Sequence, residues 1–397
     1  MEEFRYIFVD NFLYSSLYIN LDQSLISLIY FLFFKGKPFG FLERKTKIHI
    51  INFFLPIVRL IRVLQFTYLY KRKKNLSKKS PDLFPTLSSL HCGHCLILGG
   101  QGEYKVINFR KNSVTTAFPG DFPKSVMENR IYKLKEAQDC KLSPKLLDCD
   151  IKGRYMKESY LNLKPISFEL NDIKSVYLDT LPILKDILLS KRPQNICLGQ
   201  HIQNVSKRID QLLSPFLNHN VSLVSNIKII LEFISEIHSV LHKDASQTEI
   251  ILGFTHGDFW EGNILKSGKI SMVIDWNTLE IRSAFFDFYF ITFDKVSSIN
   301  TENLYEIDRE IEKAYHTFIR NYLEGNFINS KLATILMQHS ELYRYIFYLE
   351  FITQRLVENP LGEQRYFKYL ADRIKFFQAY ESKLYENKYN NSIVEKI

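Results

Sequence analysis

The stretch Phe254-Thr255-His256-Gly257-Asp258-Phe259-Trp260-Glu261-Gly262-Asn263-Ile264-Leu265, followed by Met272-Val273-Ile274-Asp275-Trp276, decides how this chain is read. It sets an Asp, an Asn five residues on, and a second Asp twelve beyond that, each beside apolar β-type residues. Phosphoryl transfer requires such a set. One carboxylate takes the proton of an attacking hydroxyl, while an amide oxygen and a second carboxylate hold Mg2+ on the nucleotide phosphates. Asp258 is the candidate base, and it follows Gly257, which permits a tight backbone path. Asn263 offers a neutral oxygen and Asp275 a charged one, a hard donor pair suited to Mg2+. Ile264-Leu265, Ser267-Gly268 and residues 269–275 read as a β-hairpin, which brings Asn263 and Asp275 together at its open end. The competing reading is a surface loop with ordinary polar residues. An isolated Asp-x-x-x-x-Asn is common, but the string with His-Gly before it and Ile-Asp-Trp after it is far rarer.

On these residues the chain resembles the aminoglycoside phosphotransferase and choline kinase-like family. That family carries His-Gly-Asp-x-x-x-x-Asn and then a strand ending Ile-Asp-Trp or Ile-Asp-Phe. The resemblance implies an α+β, protein-kinase-like two-lobed fold, with a small β-rich N-lobe, a mostly helical C-lobe and nucleotide (ATP or GTP) in the cleft. It implies Asp258 as catalytic base, Asn263 and Asp275 as Mg2+ ligands, His256 as a brace, and Asp287 as the acidic anchor of the next helix. Upstream, residues 96–107 resemble the family's first hairpin, whose Gly99, Gly100 and Gly102 let backbone approach phosphates closely. Residues 123–137 read as a helix in which Glu128 matches the Glu that pairs with a nucleotide-binding Lys. Residues 154–160 resemble the strand into the hinge, placing Glu158 and Tyr160 among the cofactor-binding residues.

One position departs from the pattern. The third strand, residues 113–118, has Thr116 where a cation for the α- and β-phosphates is expected. Lys105, Arg110 and Lys124 are the candidates to replace it, and the sequence does not choose among them. The gap gives weight to an alternative, a non-catalytic kinase-like scaffold at a membrane surface. The intact base-and-metal string opposes it.

At 397 residues the chain can bury a large core across more than one lobe. Net charge is +9, and residues 1–80 carry 14 Lys plus Arg against 5 Asp plus Glu, so the remainder is neutral. A neutral body excludes a general nucleic-acid binder and assigns the basic excess to an appendage. Five cysteines without disulfide spacing fit a reducing, cytoplasmic setting. His91-Cys92-Gly93-His94-Cys95 lacks the second ligand pair of a structural zinc site and reads as strand residues with inert thiols. His238 and His242 share a helix face but have no third ligand, and read as core-flanking residues.

The organisation expected is a basic, apolar helical extension over 1–80, a nucleotide-binding N-lobe over 86–160 and a helical C-lobe over 161–390, with residues 80–86 as a linker. Residues 24–34 are apolar but too short to span a bilayer. The acidic residues Glu2, Glu3, Asp10 and Asp22 argue against a secretory signal. Residues 48–70 form a mostly apolar helix with one polar stripe, Asn52, Pro56, Arg59, Arg62 and Gln65, and then Lys71-Arg72-Lys73-Lys74. Such a helix suits peripheral contact of residues 24–79 with the anionic inner face of a membrane. The alternative is a helix packed on the lobe. The acceptor expected is a hydroxyl on a small metabolite, sugar or glycan.

Overall fold

The computed structural model describes residues 3–9, 17–39, 53–80, 84, 86–100, 102–168, 172–217, 221–243, 248–299, 304–359 and 361–394. Most of the proposed linker, Gln101 in the glycine turn, and residues 48–52 of the apolar helix lie outside the described residues. The chain divides into two compact units, Met1–Ser167 with Glu261–Asn277, and Phe168–Trp260 with Thr278–Ile397.

The first unit is built on an eight-stranded antiparallel sheet. Its strands are β1 (Phe4–Phe8), β2 (Leu17–Asn20), β3 (Thr86–Ser89), β4 (Cys95–Leu98), β5 (Tyr104–Asn108), β6 (Ser113–Ala117), β7 (Leu146–Asp150) and β8 (Tyr155–Ser159). They lie in the order β3-β1-β2-β4-β5-β6-β8-β7. Two of these strands come from residues 1–80, which the apolar runs had suggested were helical only. The short β1 and β2 carry their inward residues, Tyr6, Leu17 and Ile19, in too few alternations to stand out from sequence. The extension is therefore part of the sheet and its core. Its helices are α1 (Leu25–Lys35) and α2 (Leu55–Lys79). Ser24 caps α1 by accepting from Ser27 N, and Gly36 ends it by donating to Leu32 O at 3.2 Å. Phe31 and Leu32 of α1 and Val63 and Tyr70 of α2 bury against Ile19, Cys95, Ile107 and Phe109 of the sheet.

Helix α3 (Lys124–Glu136) packs Met127, Ile131 and Leu134 against Phe118, Phe122 and Met156. A small second sheet joins β9 (Lys164–Pro165) to the hairpin β12 (Ile264–Ser267) and β13 (Ile270–Val273), in the order β13-β12-β9.

The second unit is mostly helical. It holds α4 (Ile173–Leu188), α5 (Leu198–Leu213), α6 (Val221–Leu241), α7 (Phe286–Val296), α8 (Leu304–Phe318), α9 (Ser330–Gln338), α10 (Ser340–Val357) and α11 (Gln364–Val394). A three-stranded sheet, β10 (Gln194–Cys197), β11 (Glu249–Thr255) and β14 (Glu280–Ser283), in the order β10-β11-β14, leads into the His256-Gly257-Asp258 turn. The core is aromatic: Phe285 sits 4.4 Å from Tyr315 and 4.6 Å from Tyr343 between ring centroids, and Tyr348 stacks on Phe377 at 4.6 Å. Tyr343, Phe347, Tyr348 and Phe351 are all buried in this core. One β-rich unit and one mostly helical unit make the α+β, kinase-like composition expected.

Candidate active site

In the second unit, β11 delivers the chain into the His256-Gly257-Asp258 turn. Asp287, at the start of α7, accepts from His256 N at 2.6 Å and from Gly257 N at 2.8 Å. Burial pushes the Asp287 carboxyl up, against the pull of His256, these two N–H donors and Arg282. Thr278 Oγ1 donates to His256 O at 2.8 Å, Gln354 Nε2 donates to Gly257 O at 2.9 Å, and Asp258 N donates to His256 Nδ1 at 3.2 Å. His256 is fully buried and serves as the brace the family pattern implies. Gly257 holds φ at 86°, and a Cβ there would come within 2.6 Å of Thr278 O.

Arg282 ties the surround together. It donates to Thr255 Oγ1 at 3.0 Å, to Thr278 O at 2.9 Å and to Glu280 Oε2 at 3.0 Å, and lies 4.7 Å over the Phe286 ring. Beneath β14, the buried Glu350 accepts from Ser283 N at 2.8 Å and meets His201 Nε2 at 3.0 Å. Held this way, Asp258 keeps its carboxylate one-third exposed (33%), 3.7 Å from Arg355 Nη2. It borders a cavity of about 240 Å3 lined with aromatic rings.

In the first unit the hairpin forms as the sequence suggested. Ile264 pairs with Val273, and Ile274 N donates to Asn263 O at 2.9 Å, which sets Asn263 and Asp275 at the hairpin's open end. Asn263 is buried. Asp275 has φ of 68°, a left-handed conformation unusual for a non-glycine residue and concentrated at functional sites. Asn277 Nδ2 donates to its Oδ1. Among the described residues no group of three or more His, Cys, Asp or Glu side chains could hold a metal. An amide oxygen and one carboxylate at this end would suit Mg2+, because that ion keeps several waters and takes phosphate oxygens.

Of the three candidate cations, Lys105 lies beside Asp275. Lys105 on β5 is the cross-strand partner of Thr116 on β6, so the two side chains share a sheet face. Lys105 Nζ lies 3.3 Å from Asp275 Oδ2. Asp275 holds the Lys105 ammonium above its ordinary range, against desolvation. Burial pushes the neighbouring Glu158 up to about 7, with Lys105 opposing. Of the three candidate cations, Lys105 is therefore the one that reaches the metal-side carboxylate. Lys124 instead meets Glu128 at 3.7 Å.

That pairing alters the reading of α3. Glu128 faces Lys124 on the partly exposed side of the helix, while Arg130 lies on the buried face, 2.7 Å from Glu103. The helix carries the cation of this ion pair, and the carboxylate comes from Glu103, just ahead of β5. An Arg three residues after Met127 on an otherwise apolar face was the available signal. Gly99 donates to Glu103 O at 2.7 Å, and a Cβ on it would run into the Glu103 carboxyl. Gly100 and Gly102 have open space around them, with Gly102 at φ 99°. Tyr160 turns into the sheet core, donating to Lys35 O and packing 5.3 Å from Phe109.

The remaining candidates are structural. His238 Nε2 meets Ser206 Oγ at 2.8 Å, and all five cysteines are free thiols.

No protein-family model matches the chain. No curated protein matches it either. Among solved structures it is similar to choline kinase LicA from Streptococcus pneumoniae, at 17% identity over 79% of this chain and 99% of that one, with a TM-score of 0.44. It is similar to a choline kinase from Cryptosporidium parvum at 15% identity, covering 74% of this chain and 90% of that one, TM-score 0.49. An ADP-bound aminoglycoside phosphotransferase, APH(2'')-Ib, is similar at 13% identity over 64% and 93%, TM-score 0.32. The neighbours are kinases and phosphotransferases of the kind the motif string resembles.

Proposed function

We propose that this chain moves the terminal phosphate of ATP or GTP to a hydroxyl of a small molecule or glycan, with Mg2+ as cofactor. The observation that carries this reading is the presentation of Asp258. Asp287 and Gln354 hold the loop on both sides, and the carboxylate is left at an open cavity. Asp258 orients the acceptor hydroxyl and takes its proton. Asn263 and Asp275 hold the cation. When bound, Mg2+ neutralises charge on the phosphates. Lys105 supplies the phosphate contact in place of Thr116, and Glu103 with Arg130 braces its strand. Backbone at Gly99, Gly100 and Gly102 covers the phosphates. A role for Glu158 near the nucleotide fits its place beside Lys105.

The scaffold alternative rests on the absent third-strand cation, and the place of Lys105 beside Asp275 weighs against it. The test is nucleotide consumption with a panel of alcohols, sugars and amino alcohols. Asp258→Ala should abolish transfer while nucleotide binding and circular dichroism stay unchanged. Equal turnover by the variant would disprove the base assignment.

Peripheral contact with an anionic membrane face belongs to the same reading. Helix α2 packs inward through Arg59, Val63, Thr67 and Tyr70, with Arg59 lying 5.5 Å over the Phe33 ring. Part of the polar stripe is thus buried, and the apolar side faces outward. Ile57, Ile61 and Tyr68 recur at helical spacing and are 54%, 58% and 65% exposed. Lys71, Arg72, Lys78 and Lys79 follow on the same helix, all exposed. An exposed apolar stripe leading into a cationic cluster is complementary to anionic lipid. No helix among the described residues is long and apolar enough to cross a membrane. Flotation with phosphatidylcholine vesicles, with and without phosphatidylglycerol, tests this. Binding should require the anionic lipid and fall with Ile57→Ser and Ile61→Ser together. Equal flotation of the double variant would contradict it.

A further inference from the structure

The cavity beside Asp258 carries information about the acceptor, on the premise that the phosphotransferase reading holds. Phe290, Phe351 and Tyr369 line it, a set of faces that would suit a ligand cation through cation–π attraction. Those faces are already occupied. The Arg355 guanidinium lies 5.4 Å from the Phe290 centroid, 5.1 Å from Phe351 and 6.0 Å from Tyr369. Arg373 lies 5.7 Å over Tyr369 and 3.7 Å from Asp294. An ammonium acceptor bound at these three rings would have to displace Arg355 and sit beside two guanidiniums.

The bonding of Arg355 shows what is missing instead. Its Nη1 donates to Glu358 Oε2 at 2.6 Å. Its Nη2 is 3.7 Å from Asp258 Oδ1, too long for a hydrogen bond. Its Nε is buried without a hydrogen-bond partner among the described residues. Nε and Nη2 form one edge of the guanidinium, the edge that takes two oxygens of a carboxylate or phosphate in parallel. A buried N–H left without an acceptor is costly, and a ligand oxyanion at this edge would offset that cost.

We propose that the acceptor is an anionic hydroxyl compound whose carboxylate or phosphate docks on the Nε/Nη2 edge of Arg355, with its hydroxyl at Asp258. The exposed Trp260 rim and Tyr369 cover the carbon skeleton between the two groups. In the transfer, a bond forms between the acceptor oxygen and the terminal phosphorus. The bond from that phosphorus to the bridging oxygen breaks, the hydroxyl proton goes to Asp258, and the nucleoside diphosphate leaves.

The experiment measures nucleoside diphosphate release by the full chain with matched acceptors: glycerol, glycerol 3-phosphate and glycerate; glucose, glucose 6-phosphate, glucuronate and glucosamine; and choline. At least one phosphate or carboxylate member should exceed its neutral and cationic counterparts in kcat/KM by tenfold or more, and the two arms tell phosphate from carboxylate. Arg355→Gln should raise the KM for that acceptor at least tenfold with a smaller change in kcat. Arg355→Lys, which keeps the charge without the two-donor edge, should fall between. Preference for choline, glucosamine or the neutral members overturns the proposal while leaving the phosphotransferase reading standing. If no acceptor is used, that reading is in difficulty, and titration of inorganic phosphate and of glycerate then judges the anion site. Binding weakened tenfold by Arg355→Gln or Arg355→Lys supports it; equal binding by wild type and a folded variant, or no binding by wild type, overturns it.

Discussion

Lys105 and Thr116 face each other across β5 and β6, so the cation absent from one strand stands directly opposite on its neighbour, 3.3 Å from Asp275. The cross-strand exchange preserves the sheet face from which the charge projects. Lys105→Ala should raise the nucleotide KM about 10–100-fold, the range for losing a charge-assisted contact of about 1.5–3 kcal/mol. Adding Thr116→Lys to that variant should restore much of the loss. A titration of nucleotide into both variants checks the pair, and no recovery would mean that Lys105 does not act from the Thr116 position.

The Arg130–Glu103 pair is buried on both sides, so removing one partner leaves an uncompensated charge. Glu103→Ala or Arg130→Ala should destabilise the first unit by about 3–5 kcal/mol. Replacing both with apolar residues of similar size should cost much less. Urea unfolding of the single and double variants measures the difference; additive losses would contradict a coupled pair.

Gly257→Ala combines a positive φ with a close approach to Thr278 O. The left-handed backbone alone costs about 1–2 kcal/mol for a residue with a Cβ. The substitution should lower kcat by at least tenfold, while melting temperature falls only in proportion to that cost. A fully active Gly257→Ala protein would show that the loop needs no such turn.

His94 is buried, meets the Phe31 ring edge-on at 4.5 Å and accepts from Phe109 N through Nδ1 at 3.2 Å. Burial pushes its pKa down to about 4 from an ordinary 6.5. Between those values the unfolded chain binds the extra proton, so stability is fully present above pH 6.5 and is lost as pH falls toward 4. At about 1.4 kcal/mol per unit, the contribution is about 3.5 kcal/mol. His94→Gln should flatten the dependence of melting temperature on pH between 4 and 6.5. A slope identical to wild type would remove His94 as its source.

The motif string was legible because its residues lie close together in sequence. Asn263 and Asp275 are joined by a hairpin whose turn residues are in the sequence, and Asp287 lies one strand beyond. What stayed hidden depends on register and on which helix face is buried. Neither the Lys105–Thr116 pairing nor the choice of Arg130 over Glu128 follows from residue type, because both positions of each pair fit their elements. Arg355 and Gln354 sit on α10 nearly a hundred residues after Asp258, and nothing short of the packed helix brings them to the loop. The strands β1 and β2 were missed because an apolar segment of four or five residues looks alike in a strand and a helix.

The most direct test of the central claim is nucleotide binding by the full chain, measured by calorimetry with and without Mg2+, for wild type and Asp275→Asn. The account predicts that wild type binds ATP or GTP, that Mg2+ tightens binding at least tenfold, and that Asp275→Asn loses most of the Mg2+ effect. No binding by wild type at millimolar nucleotide in the presence of Mg2+ would contradict it.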